Sequence, residues 1–327
     1  MIKRMLSAFG VGGPSVDTVL DSPHTTPGQL VTGQVRIQGG SSDVEIGQVV
    51  LSLVTRVEIE HGEHESAGLA EFHRVVVGQG VRVTTGQPLN LSFQLPIPWE
   101  TPITAVGDHQ LPGMTVGVRT ELVIAGAPDK GDLDPVLVHP LPSQDKVLDA
   151  FGHLGFQFRR ADVEAGRLHR VRQELGFYQE IEFYPPARFA ADIAEVELTF
   201  VANPAELYVV LEAGKRAGLF SAGGDSFGRF HMSHEEAEHT DWAGLIEQWI
   251  AQVAERGHGN AAVRGRPRHH NSAFGGQPGY GHDRHHQRRG HGMGAVVGGV
   301  AAGVVGGMVM GEVLDEVFGD GGDDGGE

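Results

Sequence analysis

Residues 116–125, VGVRTELVIA, alternate strictly. Val116, Val118, Thr120, Leu122 and Ile124 fall on one side, with Gly117, Arg119 and Glu121 on the other. Successive side chains of an extended strand point to opposite faces, so the run predicts a β-strand with one buried face. The pattern returns in PGQLVTGQVRIQGG, 27–40, where Val31, Val35 and Ile37 oppose Thr32, Gln34, Arg36 and Gln38. Pro27-Gly28 opens that run and Gly39-Gly40 closes it, as turn chemistry requires. Further strands are expected at 15–20, 44–60, 69–77, 80–85, 89–95 and near 133–139. Turn signals divide them at His61-Gly62, Gly78-Gln79-Gly80, Gly86-Gln87-Pro88 and Pro112-Gly113. Many short strands punctuated in this way predict an antiparallel β-sandwich over residues 1–140.

QDKVLDAFGHLGF, 144–156, breaks the alternation. Val147, Leu148, Phe151 and Leu154 recur at helical spacing, so a short helix is expected there. A second β region follows from 156 to 214. IGQVVLSLV at 46–54 is echoed by IAEVELTFV at 193–201, with Ile46, Val49, Leu51 and Val54 matching Ile193, Val196, Leu198 and Val201. The echo suggests a duplicated unit, although apolar matches between strands are common. TDWAGLIEQWIAQVAER, 240–256, carries an apolar stripe of Trp242, Leu245, Ile246, Trp249, Ile250 and Val253, which predicts an amphipathic helix with Thr240 or Asp241 as its N-cap. Residues 257–291 are rich in Gly, Arg and His and have few aliphatic side chains. Such a segment cannot bury enough apolar area to offset its ordering entropy, so a disordered linker is expected.

The formal charge is −17, unevenly placed. The stretch 257–291 carries +5 and residues 312–327 carry −7, while the body, 15–256, has 17 basic against 34 acidic residues. An acidic body repels phosphate and argues against nucleic acid as a partner. There is no cysteine. Disulfides, cysteine-ligated zinc and a cysteine nucleophile are thereby excluded, which fits a reducing cytoplasm. MIKRMLSAFGVGG lacks the apolar core of a signal peptide.

The order and spacing of PSVDTVL (14–20), PGQLVTGQVRIQGG (27–40), PIPWETPIT (96–104), VGVRTELVIAGAPDKGDLD (116–134), VLDAFGHLGF (147–156) and FYQEIEFYP (177–185) resemble the bacterial sporulation-control family with an arrestin-like fold. The resemblance covers residues 1–220. Gly176 stands where that family's pattern leads one to expect proline. It implies an all-β chain of two tandem arrestin-like antiparallel β-sandwiches, residues 1–140 and 141–256, the second carrying the short helix and the amphipathic helix. It also implies a cytoplasmic regulatory role, without catalysis or cofactor, exercised on other proteins.

No G-x-x-x-x-G-K-[ST] phosphate loop and no G-x-G-x-x-G dinucleotide loop occurs. The nearest approach to a metal motif is FHMSHEEAEH, 230–239. His231, His234 and Glu238 could share a helical face, but His239 comes one residue too late for H-E-x-x-H. A solvated lead-in to the next helix is the plainer reading, and a metal-binding protein or metal-dependent hydrolase the rival one. The seven histidines between His258 and His291 could hold a transition metal weakly, or simply keep a linker soluble. DKGDLD, 129–134, fails the EF-hand spacing and is expected to be a surface turn. Trp242 and Trp249 share one helical face, which either buries the helix against a sheet or docks it on a partner.

No charged residue occurs between Arg289 and Glu312. Gly299, Gly303, Gly307 and Gly311 recur every four residues within that run, a ridge that lets two helix backbones approach closely. Residues 292–327 are therefore expected to form a glycine-ridged apolar helix with an acidic tail, associating with itself or with a partner protein. A second reading makes the chain peripheral to a membrane surface, using the basic linker and the apolar run together.

Overall fold

A computed structural model describes residues 12–61, 64–126, 130–215 and 227–264. The first half holds strands β1 (Ser15–Leu20), β2 (His24–Thr25), β3 (Leu30–Gln38), β4 (Val44–His61), β5 (His64–Val83), β6 (Pro88–Pro96), β7 (Ala105–Val106), β8 (His109–Gln110), β9 (Val116–Val123), β10 (Lys130–Pro135) and β11 (Leu137–Val138). The second half holds helix α1 (Pro142–Leu154), strands β12 (Gln157–Ala165), β13 (Phe177–Tyr184), β14 (Ile193–Ala202), β15 (Glu206–Lys215) and β16 (Phe227–Ser233), then α2 (His234–His239) and α3 (Trp242–Arg264). The protein is mostly β, as the alternation requires.

Residues up to 140 form a sandwich. The sheet β1-β3-β6 lies over the sheet segment β10-β9-β4-β5. Val31, Val35, Ile37, Phe93 and Leu95 of the first meet Ile46, Val49, Leu51, Leu53, Val118 and Leu122 of the second. The two sheets are stitched at one margin. Thr18 N donates to Asp132 Oδ2 at 2.7 Å, and the Thr18 and Thr120 hydroxyls meet at 2.6 Å. DKGDLD thus does not end as a free surface turn: Asp132 and Asp134 lie in β10, paired along β9. Burial, with Asp132 and Asp17 nearby, pushes Asp134 up to about 7. The strands expected at 69–77 and 80–85 are one strand, β5, because β4 pairs along its whole length: Gly78 and Gln79 pair in register with Val49 and Gln48, and the register shift falls just before them, at Val77.

β4 also links the halves. A single parallel bridge, Glu58 to Glu164, joins it to β12, so one nine-stranded sheet runs through both. Beyond that bridge β12-β13-β14-β15-β16 is an antiparallel meander. Its inner face presents Phe177, Ile181, Phe183, Val196, Leu198, Leu207, Val209 and Leu211. Among the described residues this face is covered by helices and, at the β13 margin, by the first half, where Phe72 of β5 meets Phe177 edge-on at 5.6 Å. Phe151 of α1 lies 4.6 Å from Phe183, ring centre to ring centre, and Trp242 of α3 meets Phe230 edge-on at 5.6 Å. Over 141–256 the described residues thus form one antiparallel sheet, and much of the apolar area opposite it comes from the helical stripes of 142–154 and 242–254.

The helix ends explain themselves. Pro142 occupies the first turn of α1, Gln144 Oε1 accepts from Leu141 N at 2.8 Å, and Gly155 ends the helix in the left-handed region at φ 87°. Ser233 and Glu236 form a reciprocal capping box on α2. Asp241 Oδ1 accepts from Gly244 N at the start of α3, as the N-cap reading expected. α3 then continues to Arg264, so its end lies eight residues beyond the boundary drawn at 256. The remaining linker and the glycine ridge, with Gly299, Gly303, Gly307 and Gly311, lie outside the described residues.

Candidate functional site

The halves meet at a joint built around Trp99. Gly28, at φ 80°, lets the indole lie directly on the backbone, since a Cβ there would stand 2.5 Å from the ring. On the other side Trp99 faces His234, ring centres 5.7 Å apart. His234 uses both ring nitrogens: Nδ1 meets Ser143 Oγ at 2.8 Å and Nε2 meets the Asn203 carbonyl at 2.8 Å. A carbonyl only accepts, so Nε2 carries the proton. Next to it Gln179 brackets Ile103, accepting from its N–H at 2.9 Å and donating to its carbonyl at 2.7 Å. Glu100 accepts from Glu174 N and Leu175 N, and burial raises its pKa.

This geometry decides the metal candidates. His234 is spent on structure. His231 lies on β16, stacked on Tyr208 at 4.0 Å and 3.1 Å from Glu206. Glu238 is exposed on α2. His231, His234 and Glu238 are thus split between a strand face, a buried joint and a helix surface, because FHMS is strand and not the helix that the spacing assumed. Trp242 and Trp249 are buried at 2% and 9% exposure, against the protein's own sheet. Their stripe helps to close the inner core. Gly224-Asp225-Ser226-Phe227-Gly228 has the G-x-S-x-G spacing of a hydrolase nucleophile, but Phe227 and Gly228 begin strand β16, whereas that motif needs a strand-to-helix turn.

The outer face of the same meander is the least ordinary surface. Strand register sets Glu182 beside Glu197, and Glu197 beside Glu212. One strand further, Asp162 lies beside Glu180. Like charges directly opposite each other destabilise a sheet. Part of the charge is answered: Glu182, 2% exposed, accepts from Arg159 at 2.5 Å and Arg160 at 2.7 Å, and Arg159 also reaches Glu195. Hydrogen bonding to Glu182 holds the Arg160 guanidinium more firmly protonated than usual. The remainder shows in the proton affinities. Burial, then Glu197 and Asp162, push Glu180 up to about 9. Burial, then Glu212 and Glu182, push Glu197 up to about 8. Burial, then Glu180, raises Tyr178. Asp162, Glu164 and Glu180 can each bring a carboxylate oxygen within 4.8 Å of the others, the donor set of a hard cation.

The family model described as SpoOM protein matches residues 2–217. The chain belongs to the Spo0M family. It is similar to the sporulation-control protein Spo0M of Bacillus subtilis (strain 168), 31% identical over 262 residues, covering 77% of this chain and 98% of that one. It is also similar to the crystal structure of Spo0M from Bacillus subtilis, at TM-score 0.65 and 29% identity, covering 74% of this chain and all of that one. The family resemblance read from PGQLVTGQVRIQGG and its companions is thereby shown. Among the described residues no helix is long and apolar enough to cross a membrane.

Proposed function

We propose that this Spo0M-family chain is a non-enzymatic cytoplasmic regulator that acts by protein–protein contact. Its contact surface is the acidic outer face of the second sheet, and the partner it suits is a protein segment rich in lysine and arginine. One observation carries the reading: Glu197 and Glu212 stand side by side on neighbouring strands, with Glu180 of the next strand in the field of Glu197. The arrangement costs the folded chain stability, and a bound cationic side chain would offset that cost.

The test is fluorescence anisotropy with a labelled lysine/arginine-rich peptide at low salt. Replacing Glu180, Glu197 and Glu212 together by Gln should weaken binding at least about tenfold and flatten its salt dependence. A control variant in which Glu45, Asp108 and Glu235 become Gln, Asn and Gln loses as many carboxyl groups elsewhere on the surface and should bind like the parent. Equal weakening in both variants would reduce the effect to net charge and sink the assignment. The self-association drawn from Gly299, Gly303, Gly307 and Gly311 has its own check: removing residues 292–327 should lower the number of copies per particle found by light scattering, and an unchanged number removes it.

A further inference from the structure

Outside the acidic face, the residues that best repay attention are His24 and His139. They lie 115 positions apart in sequence, and His24 Nδ1 sits 2.8 Å from His139 Nε2. The ring planes are within 25° of parallel and the ring centres 5.1 Å apart. Each ring nitrogen lies about 1.2 Å from its ring centre, so the two nitrogens fall close to the line joining the centres. The rings therefore meet edge to edge, not face over face. One nitrogen's lone pair points at the other's N–H. A shared zinc ion would need its two nitrogens roughly 3.3 Å apart at tetrahedral geometry. At 2.8 Å the pair has room for a proton and not for a metal.

Their backbone setting gives the contact its consequence. β2 and β11 form a two-residue parallel pairing, with Leu137 N donating to Pro23 O at 2.7 Å and His139 N donating to Thr25 O at 2.8 Å. β11 is the connector that leaves the first sandwich and, three residues after His139, becomes α1. The imidazole pair thus ties the connector between the halves to the start of the first sandwich.

We propose that His24 and His139 form a proton-controlled latch on this connector. With one proton between the rings the latch is closed. With both rings fully protonated two N–H groups face each other, no lone pair remains to accept, and two positive charges stand in contact. Acid, by charging both rings, then favours the open arrangement. The charged groups set around the pair modulate this. Asp145, in the first turn of α1, lies in the field of His139, and Lys146 and Asp149 of the same helix act on Asp145. Asp21, on the strand side, is engaged by the Thr32 hydroxyl at 2.6 Å, and the Ser22 hydroxyl is taken up by the His24 backbone. Asp145 is thus the anion placed to ease the first charge, and no second anion of this group is aimed between the rings.

Two measurements on the full chain test the latch. With nitrogen-15-labelled histidine, a through-bond N–N coupling between His24 Nδ1 and His139 Nε2 is expected at pH 7.5, and its loss at pH 5. Absence of the coupling at pH 7.5 overturns the shared proton. Hydrogen exchange, corrected for intrinsic rate, should show protection at Leu137 and His139 falling at least about tenfold between pH 7.5 and 5 in the parent. The Gly39 amide, bonded to Gln87 O at 2.9 Å beyond the far end of β3, serves as the internal reference. In His24→Gln and in His139→Asn the fall should vanish. An equal fall in the parent and both variants, or none in the parent, overturns the proposal.

Discussion

The two faces of the second sheet obey opposite rules. The inner face is a column of Phe, Leu and Val under helices, where each side chain gains by leaving water. The outer face of the same strands brings carboxylates side by side, where several would gain by binding a proton. Both faces come from the same residues read at odd and even positions: Phe177, Ile181 and Phe183 turn inward while Tyr178, Glu180 and Glu182 turn outward. The contrast separates what stabilises this half from what it can display. The inner face supplies the stability that the outer face spends on its charges.

The largest effect is expected from breaking the inner face. Phe151 is 1% exposed and lies 4.6 Å from both Phe156 and Phe183. Phe151→Ala should cost about 3–5 kcal/mol, read as a lowered midpoint in urea unfolding, because it leaves a cavity between α1 and β13. A loss under about 1 kcal/mol would mean that the helix is not the true cover of the sheet. Next comes the contact of α3 with β16. A Cβ at Gly228 would lie 2.9 Å from the Trp249 indole. Gly228→Val should cost about 1–3 kcal/mol through overpacking. The near-ultraviolet circular dichroism of Trp249 should change with it, and an unperturbed spectrum would show that the indole does not rest there.

Much of this contrast was legible in the sequence, and the illegible part has definite causes. The alternation of VGVRTELVIA places Val116, Val118, Thr120 and Leu122 inside, as the structure does. Ile46, Val49 and Leu51 are buried in β4 just as their echoes Ile193, Val196 and Leu198 are in β14. β16 carried the same signal, with Gly228, Phe230 and Met232 alternating against Phe227, Arg229 and His231. The spacing of His231 and His234 points to a helix instead. Gly78 and Gly80 point to a turn because glycine frees the backbone for one, but Gly78 instead pairs with Val49 inside the long β4–β5 ladder. The glutamate row could not be seen locally. Glu182, Glu197 and Glu212 recur at even intervals along the chain, but only the hairpin registers bring them abreast. The helical cover is likewise a long-range fact: amphipathic stripes declare that a face is buried, not what buries it.

The smallest expected effect is the most telling about the outer face. Glu180 and Glu197 have folded pKa values of about 9 and about 8, raised from an ordinary 4.5. The folded chain therefore keeps protons that the unfolded chain has released across that range. Their contribution to stability is fully present below pH 4.5 and is lost as pH rises toward 8 and 9. Glu180→Gln and Glu197→Gln mimic the protonated forms at every pH. Each should therefore stabilise the protein by about 1 kcal/mol at pH 9, a figure reduced for solvent screening, with the gain shrinking toward pH 5. Glu182→Gln should do the reverse, since Glu182 holds Arg159 and Arg160. Urea midpoints at pH 5, 7 and 9 decide the matter. If the Glu180 and Glu197 variants lose stability as the Glu182 variant does, the outer carboxylates are neutralised by partners within the fold, and the two faces of the sheet do not differ as described.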